Sequence, residues 1–165
     1  MKKFTEWYFK TQTFLIVVFF AIVVAAIFFQ VVNRTILKIP LRWPEELARY
    51  LIVWITFLAS VAALRRGAMI GIDLITAKFT GVSQVCLKVF QNVVIIIFAA
   101  VIAWNCSVIV SMQIETEQLS PALQLNMAVP YSAILVWGVL TVVELVIDTI
   151  LQVKTHTRSN AAQAR

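Results

Sequence analysis

The chain has 165 residues, 61% of them hydrophobic and only 13% charged, with a mean hydropathy of +0.90. Soluble domains hold roughly 45–50% apolar and about 25% charged residues, so this composition excludes an ordinary soluble domain and belongs in a bilayer. Four glycines and four prolines leave no room for a loop-rich, collagen-like or disordered architecture, and the net charge of +6 follows from membrane topology, below, without a nucleic-acid partner.

The charges divide the chain into apolar runs. Lys10 to Arg34 brackets 23 uncharged residues, Arg49 to Arg65 brackets 15, and Lys88 to Glu115 and Glu117 to Glu144 each bracket 26. A spanning helix needs about 20 mostly apolar residues, so three runs suffice, and the second becomes long enough when it starts at Pro44, a residue suited to the first helical position. The expectation is an all-α integral membrane protein with four transmembrane helices near 11–33, 44–65, 85–112 and 130–152. They form a single membrane domain over 1–153, and a polar, disordered tail follows over 154–165. The first apolar run is too long for a signal-peptide core and lacks a small-x-small cleavage site, which favours a retained anchor helix.

Between helices two and three, Ile75, Phe79 and Val82 recur at helical spacing opposite Asp73, Thr76 and Thr80. This pattern predicts a short amphipathic cytoplasmic helix lying on the membrane surface, ended by Gly81. The third connection, 115–129, is read either as an ordinary re-entry loop or as a short turn in which Ser120 caps a helix with Pro121 at its first position. Ten of the 14 basic residues fall in the N-terminal segment, the second connection and the tail. The positive-inside rule then places both termini in the cytoplasm.

Several chemistries lack their residues. The one histidine, His156, lies in the polar tail, which excludes haem ligation by histidine within the helices. Cys86 and Cys106 are too far apart along one helix to pair, and no zinc or C-x-x-C spacing exists. No nucleophile, base and orienting group assemble, so no enzyme, catalytic residue, metal site or bound cofactor is expected.

Charges close to lipid carry the remaining signal. Trp43, Pro44, Glu45, Glu46 and Arg49 crowd the start of helix two, where the helix dipole favours anions and either glutamate reaches Arg49 at helical spacing. Trp43, Tyr50 and Trp54 suit an aromatic belt. The cluster reads either as a charge-paired helix start or as a docking point for another membrane protein. Arg65 and Arg66 mark the inner stop of helix two. Glu144 and Asp148, four apart on one face, read either as acids on an ion or proton path or as interfacial acids that pair at the inner end with Arg65, Arg66 or a partner's cations. Ala59 and Ala63 in helix two, and Ala21 and Ala25 in helix one, form small-xxx-small strips that permit close helix approach. A four-helix unit of this size has room for a core but not for a large water-filled cavity, so the chain has the character of a subunit.

The segment Trp43-Pro44-Glu45-Glu46-Leu47-Ala48-Arg49-Tyr50-Leu51, with Trp54, Phe57-Leu58, Arg65 and Ile70-Gly71-Ile72-Asp73, resembles the signature of the small membrane subunit of tripartite ATP-independent periplasmic (TRAP) transporters. Ser120-Pro121-Ala122-Leu123, then Leu125, Met127 and Tyr131, resembles that family's second motif; Met69, Phe79-Thr80 and Asn126 depart from its usual residues. The resemblance covers roughly residues 4–150. It implies a bacterial inner-membrane protein that braces a large subunit, which itself carries the substrate and sodium sites. It further implies uptake of an organic anion (a C4-dicarboxylate, a keto acid or an acidic sugar such as sialic acid) delivered by a periplasmic binding protein. Glu45, Glu46 and Arg49 would order the outer end, and Arg65, Arg66 and Asp73 the inner end. A self-sufficient small exporter and a non-transporting assembly factor are the alternatives.

Overall fold

A computed structural model describes residues 2–39, 41–65 and 82–163. Its elements are α1 (Lys2–Val32), running into a π-helical turn (Asn33–Leu37), α2 (Trp43–Arg65), α3 (Val82–Glu115) and α4 (Ala128–Gln163). Four apolar segments within them are long enough to cross a membrane: Phe9–Ile36, Trp43–Arg65, Cys86–Glu115 and Ala128–Ile150. The expected amphipathic helix, with Arg66, Asp73 and Gly81, lies outside the described residues.

The helices overrun the charge-defined boundaries for an identifiable reason. Lys2 to Thr11 contains no glycine or proline, so α1 begins well before its apolar run. The segment 154–163 likewise lacks a breaker, and its backbone stays helical through Gln163 where an irregular tail was expected. The last helix starts at Ala128, two positions before Pro130, because the Asn126 side chain accepts the Ala128 amide at 2.8 Å and caps the helix. At the far end of α1, the π-helical turn stops at Lys38 in the left-handed region (φ 54°), and the buried Asn33 donates to the Ile39 carbonyl at 2.7 Å.

These helices do not close around a common core. Among the described residues, α1 packs only on α2, α3 packs only on α4, and an α2–α4 seam joins the two pairs. The order across the membrane plane is therefore α1, α2, α4, α3: a row one helix thick. On α1 the seam follows Gln12, Ile16, Phe19, Val23, Ala26, Gln30 and Asn33, a repeat of alternating four and three residues that keeps one stripe against α2. Ala21 and Ala25 lie off this stripe and are exposed, so the expected small-residue strip of helix one is not the one that meets α2.

Lipid is as apolar as leucine, so helix association here depends on close packing and interhelical hydrogen bonds. Both are present. A Cβ built on Gly138 would stand 2.7 Å from Ala103 Cβ and 3.1 Å from the Ala99 carbonyl oxygen, which shows how closely α4 approaches α3. Gln12, only 4% exposed, donates to the Leu58 carbonyl at 2.8 Å and ties α1 to α2. The Cys106 thiol donates to the Tyr131 carbonyl at 3.2 Å, and both cysteines are free.

Three contacts along the central seam fix its direction. The Tyr50 hydroxyl lies 3.4 Å from Met127 Sδ, the Phe57 and Trp137 rings are 5.7 Å apart, and Arg65 meets Glu144 at 3.4 Å. Residue numbers rise together on the two helices, so α2 and α4 run parallel. Among the exposed positions of α2, Glu45, Arg49, Ile52, Thr56, Ser60 and Ala63 form one stripe; among those of α4, Val139, Val143, Val146 and Ile150 form another, with Val129, Ile147 and Asp148 exposed outside it. Each set has the three- and four-residue spacing of a single helix face. At about 100° per residue, each stripe stands at the same angular offset, in the same rotational sense, from the neighbouring seam helix. For parallel helices that places the two stripes on opposite sides of the row.

Candidate functional site

The polar groups of the membrane region gather at the two ends of the α2–α4 seam. At the first end, Glu46 sits in the opening turn of α2 with its carboxylate turned toward the loop between α3 and α4. Its Oε2 accepts the backbone amides of Ala122 at 2.8 Å and Leu123 at 3.0 Å, and its Oε1 accepts the Tyr50 hydroxyl. One side chain thus joins the start of α2 to a loop 76 and 77 positions later.

The loop can receive it because it is internally closed. The Ser120 amide donates to the Leu125 carbonyl at 2.8 Å, the Leu125 amide to Ser120 Oγ at 3.4 Å, and the Met127 amide to the Gln118 carbonyl at 2.9 Å. Leu119 and Asn126 form an isolated antiparallel bridge, and Glu117 and Gln124 take positive φ at its corners. Ser120 is fully buried. Residues 121–123 form hydrogen-bonded turns in place of a capped helix, and the amides that a longer helix would have consumed are left pointing at Glu46.

Glu45 has the opposite fate. It pairs with Arg49 at 3.3 Å on the exposed face, with both side chains more than three-fifths exposed, and accepts from Gln30 at 3.4 Å. Both glutamates were expected to reach Arg49; only Glu45 bonds it, because Glu46 is taken up by the loop. Trp43 packs its ring 5.9 Å from Phe29 of α1.

The second end is held by charge. Arg65, at the last turn of α2, meets Glu144 of α4 at 3.4 Å, with side chains 22% and 15% exposed. One turn further, the buried Asn92 of α3 donates to Asp148 at 3.2 Å and to Thr149 at 3.0 Å. Arg65, Glu144, Asp148 and Asn92 therefore connect three helices near one level. Sequence reading had named Arg65, Glu144 and Asp148 but had no signal for Asn92, a neutral residue in an apolar run. It also missed the Ala122 and Leu123 amides, since a backbone donor has no residue type to betray it; the one available cue was a serine-proline turn beside a motif already singled out.

The sequence profile described as "Tripartite ATP-independent periplasmic transporters, DctQ component" matches residues 23–155. The chain is also 32% identical, over 112 residues, to the isethionate TRAP transporter permease protein DctMQ of Oleidesulfovibrio alaskensis. That match covers 68% of this chain and 18% of that protein, so the chain spans a small fraction of the relative's length. Both segments that meet at the Glu46 contact, the start of α2 and the loop before α4, fall inside the matched range. The chain belongs to the DctQ family of TRAP transporter components: it is a multi-pass inner-membrane protein of a transporter family, and not an enzyme.

Proposed function

We propose that this chain braces the large membrane component of a TRAP transporter during sodium-driven, binding-protein-dependent uptake of a small organic anion. The observation that carries this reading is the open row of helices. A layer one helix thick encloses no path for a solute, while its two ends are tied by Glu46 and by the Arg65–Glu144 pair. Such a layer is suited to being a frame against which another subunit moves. The name of the DctMQ relative joins the two component designations in one polypeptide, which favours a fixed pairing between them.

Sodium and substrate would be held by the large component, with no cofactor bound by this chain. The relative is named for isethionate, a small sulfonate; C4-dicarboxylates, keto acids and acidic sugars fit the same class of organic anion. The excess of basic residues on the N-terminal segment and the 66–88 region supports a cytoplasmic Arg65 end. The Glu46 end and its loop then face the periplasm, where the binding protein docks.

The test is sodium-gradient-driven uptake in proteoliposomes containing this chain, the large component, or both, each with the binding protein supplied. Uptake only with both supports the brace. Transport by this chain alone overturns it in favour of a self-sufficient exporter, and equal transport by the large component alone leaves an assembly role.

A further inference from the structure

The Glu46 contact has a neighbour whose chemistry the bracing role leaves unused. Met127, the last residue before α4, places its Sδ 3.4 Å from the Tyr50 hydroxyl. The same hydroxyl bonds Glu46 Oε1, while Glu46 Oε2 holds the Ala122 and Leu123 amides. A phenol has a single proton to give. Glu46, the charged acceptor, takes it, and the thioether is too weak an acceptor to compete. Sulfur suits this position because it is soft and nearly apolar, and it can lie against the hydroxyl oxygen while the proton points to the carboxylate.

Met127 is partly exposed and stands just outside the spanning segment Ala128–Ile150, so an oxidant carried by water reaches it. In the orientation proposed above that water is the periplasm, an oxidising compartment. Met112 is a natural comparison. It is 63% exposed, but it lies within the span Cys86–Glu115 and its side chain makes no hydrogen bond among the described residues. Exposure decides which methionine reacts; contact with the Glu46 network decides which reaction is felt.

We infer that Met127 is an oxidation site whose conversion to the sulfoxide loosens the hold of Glu46 on the loop. The oxidant is a peroxide. One peroxide oxygen is transferred to a sulfur lone pair, an S–O bond forms, the O–O bond breaks and water leaves, so that sulfur is oxidised and the peroxide reduced. The product sets a strong acceptor oxygen beside Tyr50 where a weak one stood. Two acceptors then face one phenolic proton, and Tyr50 cannot serve the sulfoxide without leaving Glu46. The carboxylate loses a donor and gains a second partly negative oxygen nearby. Because the same carboxylate gathers the Ala122 and Leu123 amides, a change at the start of α4 passes into the loop. Methionine sulfoxide reductases return the thioether, so the change is reversible.

The experiment treats the purified chain with hydrogen peroxide, locates sulfoxide by mass spectrometry and follows the melting temperature. The expected result is a sulfoxide at Met127 and a melting temperature lower by roughly 2–4 °C, restored by methionine sulfoxide reductases acting on both epimers. Met127→Leu is expected to abolish the shift and Met112→Leu to keep it. In Tyr50→Phe, which has no proton to divide, the fall on oxidation is expected to be smaller. A Met127 that stays unoxidised in the folded chain overturns the inference. So does a sulfoxide that leaves the melting temperature unchanged, or an equal fall in Met127→Leu or in Tyr50→Phe. None of these readouts involves transport or the large component, so their failure would leave the bracing role standing.

Discussion

The two ends of the α2–α4 seam solve the same problem with different chemistry. At one end a carboxylate is held by backbone amides of a closed loop; at the other a carboxylate is held by a guanidinium. A side-chain pair specifies only that opposite charges meet, and either helix can supply either sign. A carboxylate on two amides specifies a loop conformation as well, since the amides converge only when the turn is formed. The Glu46 end therefore defines shape where the Arg65 end defines proximity.

Reversal of charge separates the two cases most sharply. Glu46→Ala orphans the Ala122 and Leu123 amides, and it is expected to give the largest fall in thermal stability of the purified membrane protein. Glu46→Gln should recover part of the loss, because its carbonyl oxygen can replace Oε2 under both amides while its nitrogen meets the Tyr50 hydroxyl, which can turn to accept. No second-site charge should rescue either variant. Arg65→Ala leaves Glu144 without its cation and is expected to cost about 2–3 kcal/mol, less than a fully buried pair. Here the swap of Arg65→Glu with Glu144→Arg should restore most of the loss; a swap that restores nothing would show that the second end also depends on detailed geometry.

Between the ends, Gly138→Ala must push α3 from α4, and overpacking of this kind costs about 1–3 kcal/mol, readable as a lower melting temperature. Asn92→Ala removes two interhelical bonds, together worth about 1 kcal/mol at the values measured in membrane proteins. Arg49→Ala breaks only an exposed pair and should shift stability by less than about 1 kcal/mol. If its stability is unchanged while copurification of the large component falls, Arg49 serves the partner and not the fold.

Charge-free runs made the four helices legible in sequence, because a bilayer imposes a length that composition must meet. The order of the row was not legible. Exposed Phe14 and Phe28 are as apolar as seam-facing Val23, so hydropathy cannot say which face packs within the chain. The Arg65–Glu144 contact could be anticipated, as both partners are charged and both lie near helix ends. The role of Glu46 could not: a neighbouring Arg49 at the right spacing offered a simpler partner, and the true donors carry no side-chain signature. Helix ends were misjudged wherever the sequence changed polarity without supplying a breaker, as at Lys154.

The Glu46 contact also has a consequence in time. A chain is made from its N-terminus, and Glu46 precedes the amides it binds by 76 positions. While the first hairpin waits in the membrane, that carboxylate must stay hydrated at the bilayer edge. Only when the last loop has been synthesised, folded and delivered to the same side can it be seated. Completion of this bond thus reports that the third helix has been threaded in the correct direction, and a chain stalled or inverted before that point would leave an unsatisfied acid at its edge.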